Sequence, residues 1–194
     1  YDQIEARESD PLACQCRGLI LARADHAPMA MDVPPGETRV AARPFDRFFN
    51  TGQNGADASL MLGRPGTQVV EKLDGTLCIV YFDDHHGRWH VATRSVPEAD
   101  RPIGGFAGFT AESLTFRGLF DRALAEHGAS WEGAFGRSLD PARTYLIELT
   151  TPFNQVVVRY DACSLWLLGS RDRATGAESL PTEEHGIPVA PSHP

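Results

Sequence analysis

The chain is almost devoid of lysine: of its 18 basic residues, all are arginine except Lys72. Arginine serves equally well as a surface cation, but its guanidinium stays protonated and cannot act as an amine nucleophile. Long apolar runs are missing too. None approaches the roughly 20 residues of a membrane-spanning helix, and the strongest, Leu165 to Leu168, is strand-sized. Cysteine is sparse, with only Cys14, Cys16, Cys78 and Cys163. Cys14 and Cys16 form a C-x-C pair with no second pair to complete a zinc site, and Cys78 and Cys163 sit in apolar runs as small core residues. A signal-peptide pattern and a start methionine are both absent. These features fit a reduced, cytoplasmic setting and a numbering that begins inside the natural chain. A net charge of −8 excludes a surface that coats nucleic acid indiscriminately, so any such contact is confined to a local cluster.

With 194 residues, 42% apolar and 23% charged, the chain is sized for one core. Strands are expected at Leu19–Ala22, Val40–Phe49, Val69–Glu71, Leu77–Phe82, Trp89–Arg94, Thr144–Leu149, Val156–Tyr160 and Ser164–Leu168. Asp83 to Arg88 reads as the hairpin between the fourth and fifth of these. Phe116, Leu119, Phe120, Ala123 and Leu124 recur at helical spacing, which predicts one helix over Ser113–His127 closed by Gly128. Antiparallel-type strands with one substantial helix make the fold class α+β. From Arg171 the sequence turns polar and proline-rich and reads as a loop or tail. This gives a domain portion over residues 1–176 and a tail over 177–194.

The lone lysine stands in Lys72-Leu73-Asp74-Gly75, a K-x-D-G tetrad between two strands, where a lysine amine can project into a cleft and a glycine lets backbone approach a phosphate. By itself the tetrad recurs by chance in turns. Five blocks in order are more specific: Cys16-Arg17-Gly18-Leu19-Ile20, Arg43 to Asn50 (RPFDRFFN), Glu71 to Leu77 (EKLDGTL), Val91 to Ser95 (VATRS), and Tyr145 to Val157 (YLIELTTPFNQVV). Together they closely resemble the phage-type RNA ligase 1 family, over about Tyr1 to Gly176.

That resemblance implies the antiparallel-rich covalent nucleotidyltransferase (ATP-grasp-like) fold, and ATP and Mg²⁺ as cofactors. It also implies a lysyl-AMP intermediate on Lys72. Arg17, Arg47 and Arg94 would face the nucleotide, with Asp74 and Gly75 of the tetrad beside it and Phe49 lining the adenine pocket. Glu148 would contact the ribose or the hydrated metal, and Tyr1 matches an aromatic near the nucleotide. RNA 5′-phosphate and 3′-hydroxyl ends would be the partners, with no membrane. The family continues with an acidic E-G block and a K-x-K block. Neither is found after Leu168, so the domain is expected to be incomplete at both ends.

Duller readings stand beside these. Arg17, Arg47 and Arg94 are ordinary surface cations in the bland view, one of Phe48 and Phe49 belongs to the core, and Glu148 points to solvent from its β-run. His85 and His86 are solvated in their turn, and Trp131 and Trp166 are packing residues. DNA ligases and capping guanylyltransferases place a basic residue soon after the tetrad, whereas Thr76-Leu77 follows here. A non-catalytic nucleotide-binding module is the rival from another class. The sequence leaves open whether the role is repair, splicing or phage defence.

Overall fold

In the computed structural model, residues 10–23, 38–60, 62–100, 102–103, 114–155 and 157–193 are described, and Tyr1 lies outside them. Their centre is a five-stranded antiparallel sheet in the order β5-β4-β6-β7-β8. Its strands are β4 (Thr76–Asp83), β5 (Arg88–Thr93), β6 (Arg143–Thr150), β7 (Ser164–Asp172) and β8 (Glu178–Ser179). β4 is covered on both faces, which explains its continuous apolar run. Cys78 and Val80 join one cluster, and Ile79 and Tyr81 join the other.

The first face is closed by α2 (Phe116–Glu126) and α3 (Ala134–Ser138). α2 starts where Thr115 accepts the Gly118 amide at 2.9 Å, and Gly128 follows its end at φ +69°. Its stripe of Leu119, Phe120, Ala123 and Leu124 is fully buried against Tyr145, Ile147, Leu149, Leu165 and Leu167. On the opposite face a two-stranded antiparallel sheet, β1 (Ile20–Arg23) with β2 (Thr38–Ala42), packs Ala41 and Ala42 against Ile79, Ala92 and Leu146. The short α1 (Pro11–Gln15), capped by Asp10, leads into β1.

Three expectations are corrected. Residues 157–160 form no strand; their bends leave amides for a side chain described below. The stretch after Arg171 is not a loose tail. β7 continues to Asp172, β8 extends the sheet, and β9 (Ser192–His193) pairs with β3 (Val69–Val70). Ile187 and Ala190 are buried at 2% and 3% exposure, and the backbone of Leu167 bonds both Pro188 and Ala190. Residues 43–50 also leave the strand conformation after Ala42.

Candidate active site

The K-x-D-G turn joins β3 to β4, and each of its residues does something different. Lys72 is exposed and Leu73, at 9% exposure, anchors the turn in the core. Asp74 Oδ2 accepts the amides of both Val157 and Val158 at 2.6 Å, while its own N–H donates to the Tyr160 hydroxyl at 3.1 Å. Those two amides hold the Asp74 carboxyl below its ordinary value, with Lys72 a smaller influence of the same sign. Asn154 Nδ2 donates to Thr76 Oγ1 at 2.8 Å. The Glu71–Leu77 block and the Tyr145–Val157 block, which lie far apart in sequence, are therefore clamped to each other.

Gly75 is required for a reason the sequence did not reveal. A Cβ there would run into the Leu149 carbonyl of β6, so the close approach that needs glycine is strand to strand. The Gly75 amide donates to Glu148 Oε1 at 3.0 Å. Glu148 stands opposite Leu77 on one side and Trp166 on the other, two residues from Leu146 and so on the same face as it. It therefore leaves the sheet on the β1–β2 face. Burial raises its carboxyl to about 7, against the opposing pull of the Gly75 amide and the Lys72 charge. Glu148 is thus turned away from open solvent, and it feels the lysine.

The C-R-G block reaches the same face. Gly18, at φ +80°, lies so near that an added Cβ would fall 2.8 Å from Ile79 Cδ1, 3.4 Å from Pro44 and 3.5 Å from the Arg94 Cα. Arg94 directly follows β5, one position beyond the pair Cys78↔Thr93. Arg17 is half-buried and Arg94 exposed. The Arg47 amide donates to the Cys14 carbonyl at 3.0 Å, and its guanidinium lies 5.1 Å from the Phe49 ring centroid. Neither Phe48 nor Phe49 is the core aromatic of its block. Phe48 is 71% exposed and Phe49 half-buried, whereas Phe45 packs against the β1–β2 cluster and lies close to Gly169. The reason is that the segment is not a strand, so alternation does not apply.

Sequence reasoning does not reveal Tyr160 as a neighbour of the tetrad or Trp166 as a neighbour of Glu148. Trp166 is half-buried beside Glu148 and donates to Thr150 Oγ1 at 3.1 Å; only the cross-strand register makes it visible. Trp131 does pack, against Phe120 and Phe135. Cavities of about 310 Å³ beside His185 and 380 Å³ beside Arg173 lie away from Lys72.

A family model described as RNA ligase matches residues 15–186, which takes in the clamped blocks and both flanks of the sheet. The chain belongs to the phage-type RNA ligase family. Two curated RNA ligase relatives match it. A protein of Autographa californica nuclear polyhedrosis virus, named as a bifunctional polynucleotide kinase/RNA ligase, is 31% identical over 91% of this chain and 24% of its own length. An RNA ligase of Rhodothermus phage RM378 is 26% identical over 80% of this chain and 36% of its own length. The chain thus spans about a quarter to a third of these relatives. A solved archaeal ATP-dependent RNA ligase aligns at TM-score 0.47 and 20% identity, covering 81% of this chain and 38% of that one. Among the described residues no helix is long and apolar enough to cross a membrane.

Proposed function

We propose that this chain is the adenylating core of an ATP-dependent RNA ligase, a covalent nucleotidyltransferase of ATP-grasp-like kind, with Lys72 as nucleophile. The observation that carries the reading is the lone lysine beside a half-buried carboxylate, on a turn locked to β6 by Gly75 and to residues 157–158 by Asp74.

In the reaction so read, the neutral Lys72 Nζ attacks the α-phosphorus of ATP. A phosphorus–nitrogen bond forms and the bond to pyrophosphate breaks. The AMP then passes to an RNA 5′-phosphate, and an RNA 3′-hydroxyl displaces it to join the ends. Rates in such transfers rest on positioning and charge stabilisation. Asp74 and Gly75 hold the turn that aims Lys72. Arg17, Arg47 and Arg94 supply cations for the phosphates, and Phe49 a face for adenine. Tyr1 is assigned to the nucleotide by resemblance alone.

Mg²⁺ fits the donor set. Glu148 is a single half-buried carboxylate, and no donor among the described residues reaches its Oε2. Mg²⁺ is commonly held by one or two carboxylates together with substrate phosphates. Bound there, it would neutralise phosphate charge, and Glu148 would be the residue that holds it.

Intact-mass spectrometry after incubation with ATP and Mg²⁺ tests the proposal. Wild type gains one AMP and Lys72→Arg gains none, because arginine keeps the charge and cannot attack. An adduct that persists in the arginine variant, or maps to another residue, would overturn the assignment.

A further inference from the structure

At the end of β4 remote from Lys72, roughly 23 Å along the strand, the hairpin gathers three groups that the nucleotidyl site does not use. Asp83 closes β4, His86 lies in the turn, and His90 sits in β5. One ligand atom from each falls within 4.8 Å of the others. His86 Nδ1 and His90 Nε2 lie 2.5 and 3.6 Å from the same oxygen, Asp83 Oδ2. We propose that Asp83, His86 and His90 form a binding site for a first-row divalent transition metal such as Zn²⁺, clipping β4 to β5.

Several details favour a ligand set over a chance cluster. His90 is buried, and Arg88 Nε donates to its Nε2 at 3.1 Å, so that nitrogen carries a lone pair. Its proton therefore resides on Nδ1, which faces Glu98 Oε1 at 3.8 Å. A carboxylate behind the far nitrogen is the arrangement that orients histidine ligands. Asp83 Oδ1 is already fixed by the His85 amide at 2.9 Å, which leaves Oδ2 directed at the two rings. Tetrahedral zinc with bonds near 2.1 Å sets its ligands about 3.4 Å apart, so the Asp83–His86 pair would open from 2.5 Å and the Asp83–His90 pair close slightly from 3.6 Å.

Binding through His86 Nδ1 takes the place of its hydrogen bond to Asp83, and the neutral ring then carries its proton on Nε2, toward solvent. Binding also displaces the exposed Arg88 side chain from His90. The outward side, where His86 is exposed, leaves the fourth position to water. Two imidazoles with one carboxylate select zinc, cobalt, nickel or copper over Mg²⁺.

Co²⁺ titration of the full chain, read by visible absorption, tests the site, with Zn²⁺ thermal-shift measurements alongside. Wild type should show one saturable Co²⁺ band and a rise in melting temperature with Zn²⁺ but not with Mg²⁺. His86→Ala, at an exposed position that the fold tolerates, and Asp83→Asn should each weaken binding at least ~10-fold. Arg88→Ala, which removes the competing donor and cation, should tighten it. Absence of a saturable band in wild type would overturn the proposal. So would unchanged affinity in both ligand variants, or a band carrying thiolate charge transfer that survives His86→Ala, which would place the metal on Cys14 and Cys16.

Discussion

Glu148 Oε1 accepts the Gly75 amide at 3.0 Å, so a carboxylate that feels the lone lysine is held by the same turn that presents that lysine. Presentation of Lys72 and the charge state of Glu148 are therefore coupled, and three measurements follow from the contacts around them, with a fourth from the far end of the chain.

The ordinary value of the Glu148 carboxyl is 4.5, and burial raises it to about 7. Between those values the folded protein keeps a proton that the unfolded chain has lost. Stability from this group is complete below pH 4.5 and falls as pH rises toward 7, by at most about 1.4 kcal/mol per pH unit. Glu148→Gln keeps the acceptor for Gly75 and removes the titration. Denaturant midpoints measured from pH 4.5 to 8 should therefore fall less steeply in the variant; parallel curves would show that Glu148 does not titrate in this window.

Gly75→Ala should be costly although the substitution adds one methyl. Its Cβ would enter the Leu149 carbonyl, which is ladder backbone and has nowhere to move. A loss of about 1–3 kcal/mol in urea unfolding is expected, accompanied by loss of the AMP adduct as β4 separates from β6. A variant of wild-type stability would show that the two strands are not held that closely.

Asp74→Ala removes the acceptor for the Val157 and Val158 amides while leaving the sheet in place. Hydrogen exchange at those two amides should accelerate by at least ~10-fold, with β6 and β7 unaffected. If protection at 157 and 158 survives, some group other than this carboxylate holds the loop.

Ile187→Ala tests whether the last segment belongs to the core. Its side chain is 2% exposed and joins the cluster under α2. Truncating a buried isoleucine costs about 2–5 kcal/mol, read as a lower urea midpoint at unchanged slope. A change within error would mark residues 185–193 as a surface appendage.

The parts of this fold legible in sequence are those whose cause is local. Helix α2 announces itself through Leu119, Phe120, Ala123 and Leu124, and the β4–β5 hairpin through two β-rich runs around a polar turn. The tetrad and Glu148 were legible as residues, though not their reasons. Gly75 answers to Leu149, and Asp74 to two amides 83 and 84 positions away. The β-branched run at 156–158 argued for a strand, but a carboxylate from elsewhere takes the amides a strand would have used. Residues 178–193 were obscured by prolines that break periodicity, although Leu167 pairs with Val189 across them. His90 looked like one more strand residue until the hairpin register set it beside Asp83.

The Glu71 amide donates to the Pro191 carbonyl at 2.8 Å, immediately before Lys72. Together with the Gly75–Glu148 and Asp74–Val157 bonds, this makes the lysine turn a junction of distant contacts, spanning 73 and 83 positions in the latter two and more in the first. Such closures are slow compared with a local hairpin. On a ribosome the β4–β5 hairpin can form as soon as it emerges, but Lys72 is not fully seated until synthesis has passed residue 191. The nascent chain therefore carries its lysine unaligned from the emergence of residue 72 until residue 191 has followed it.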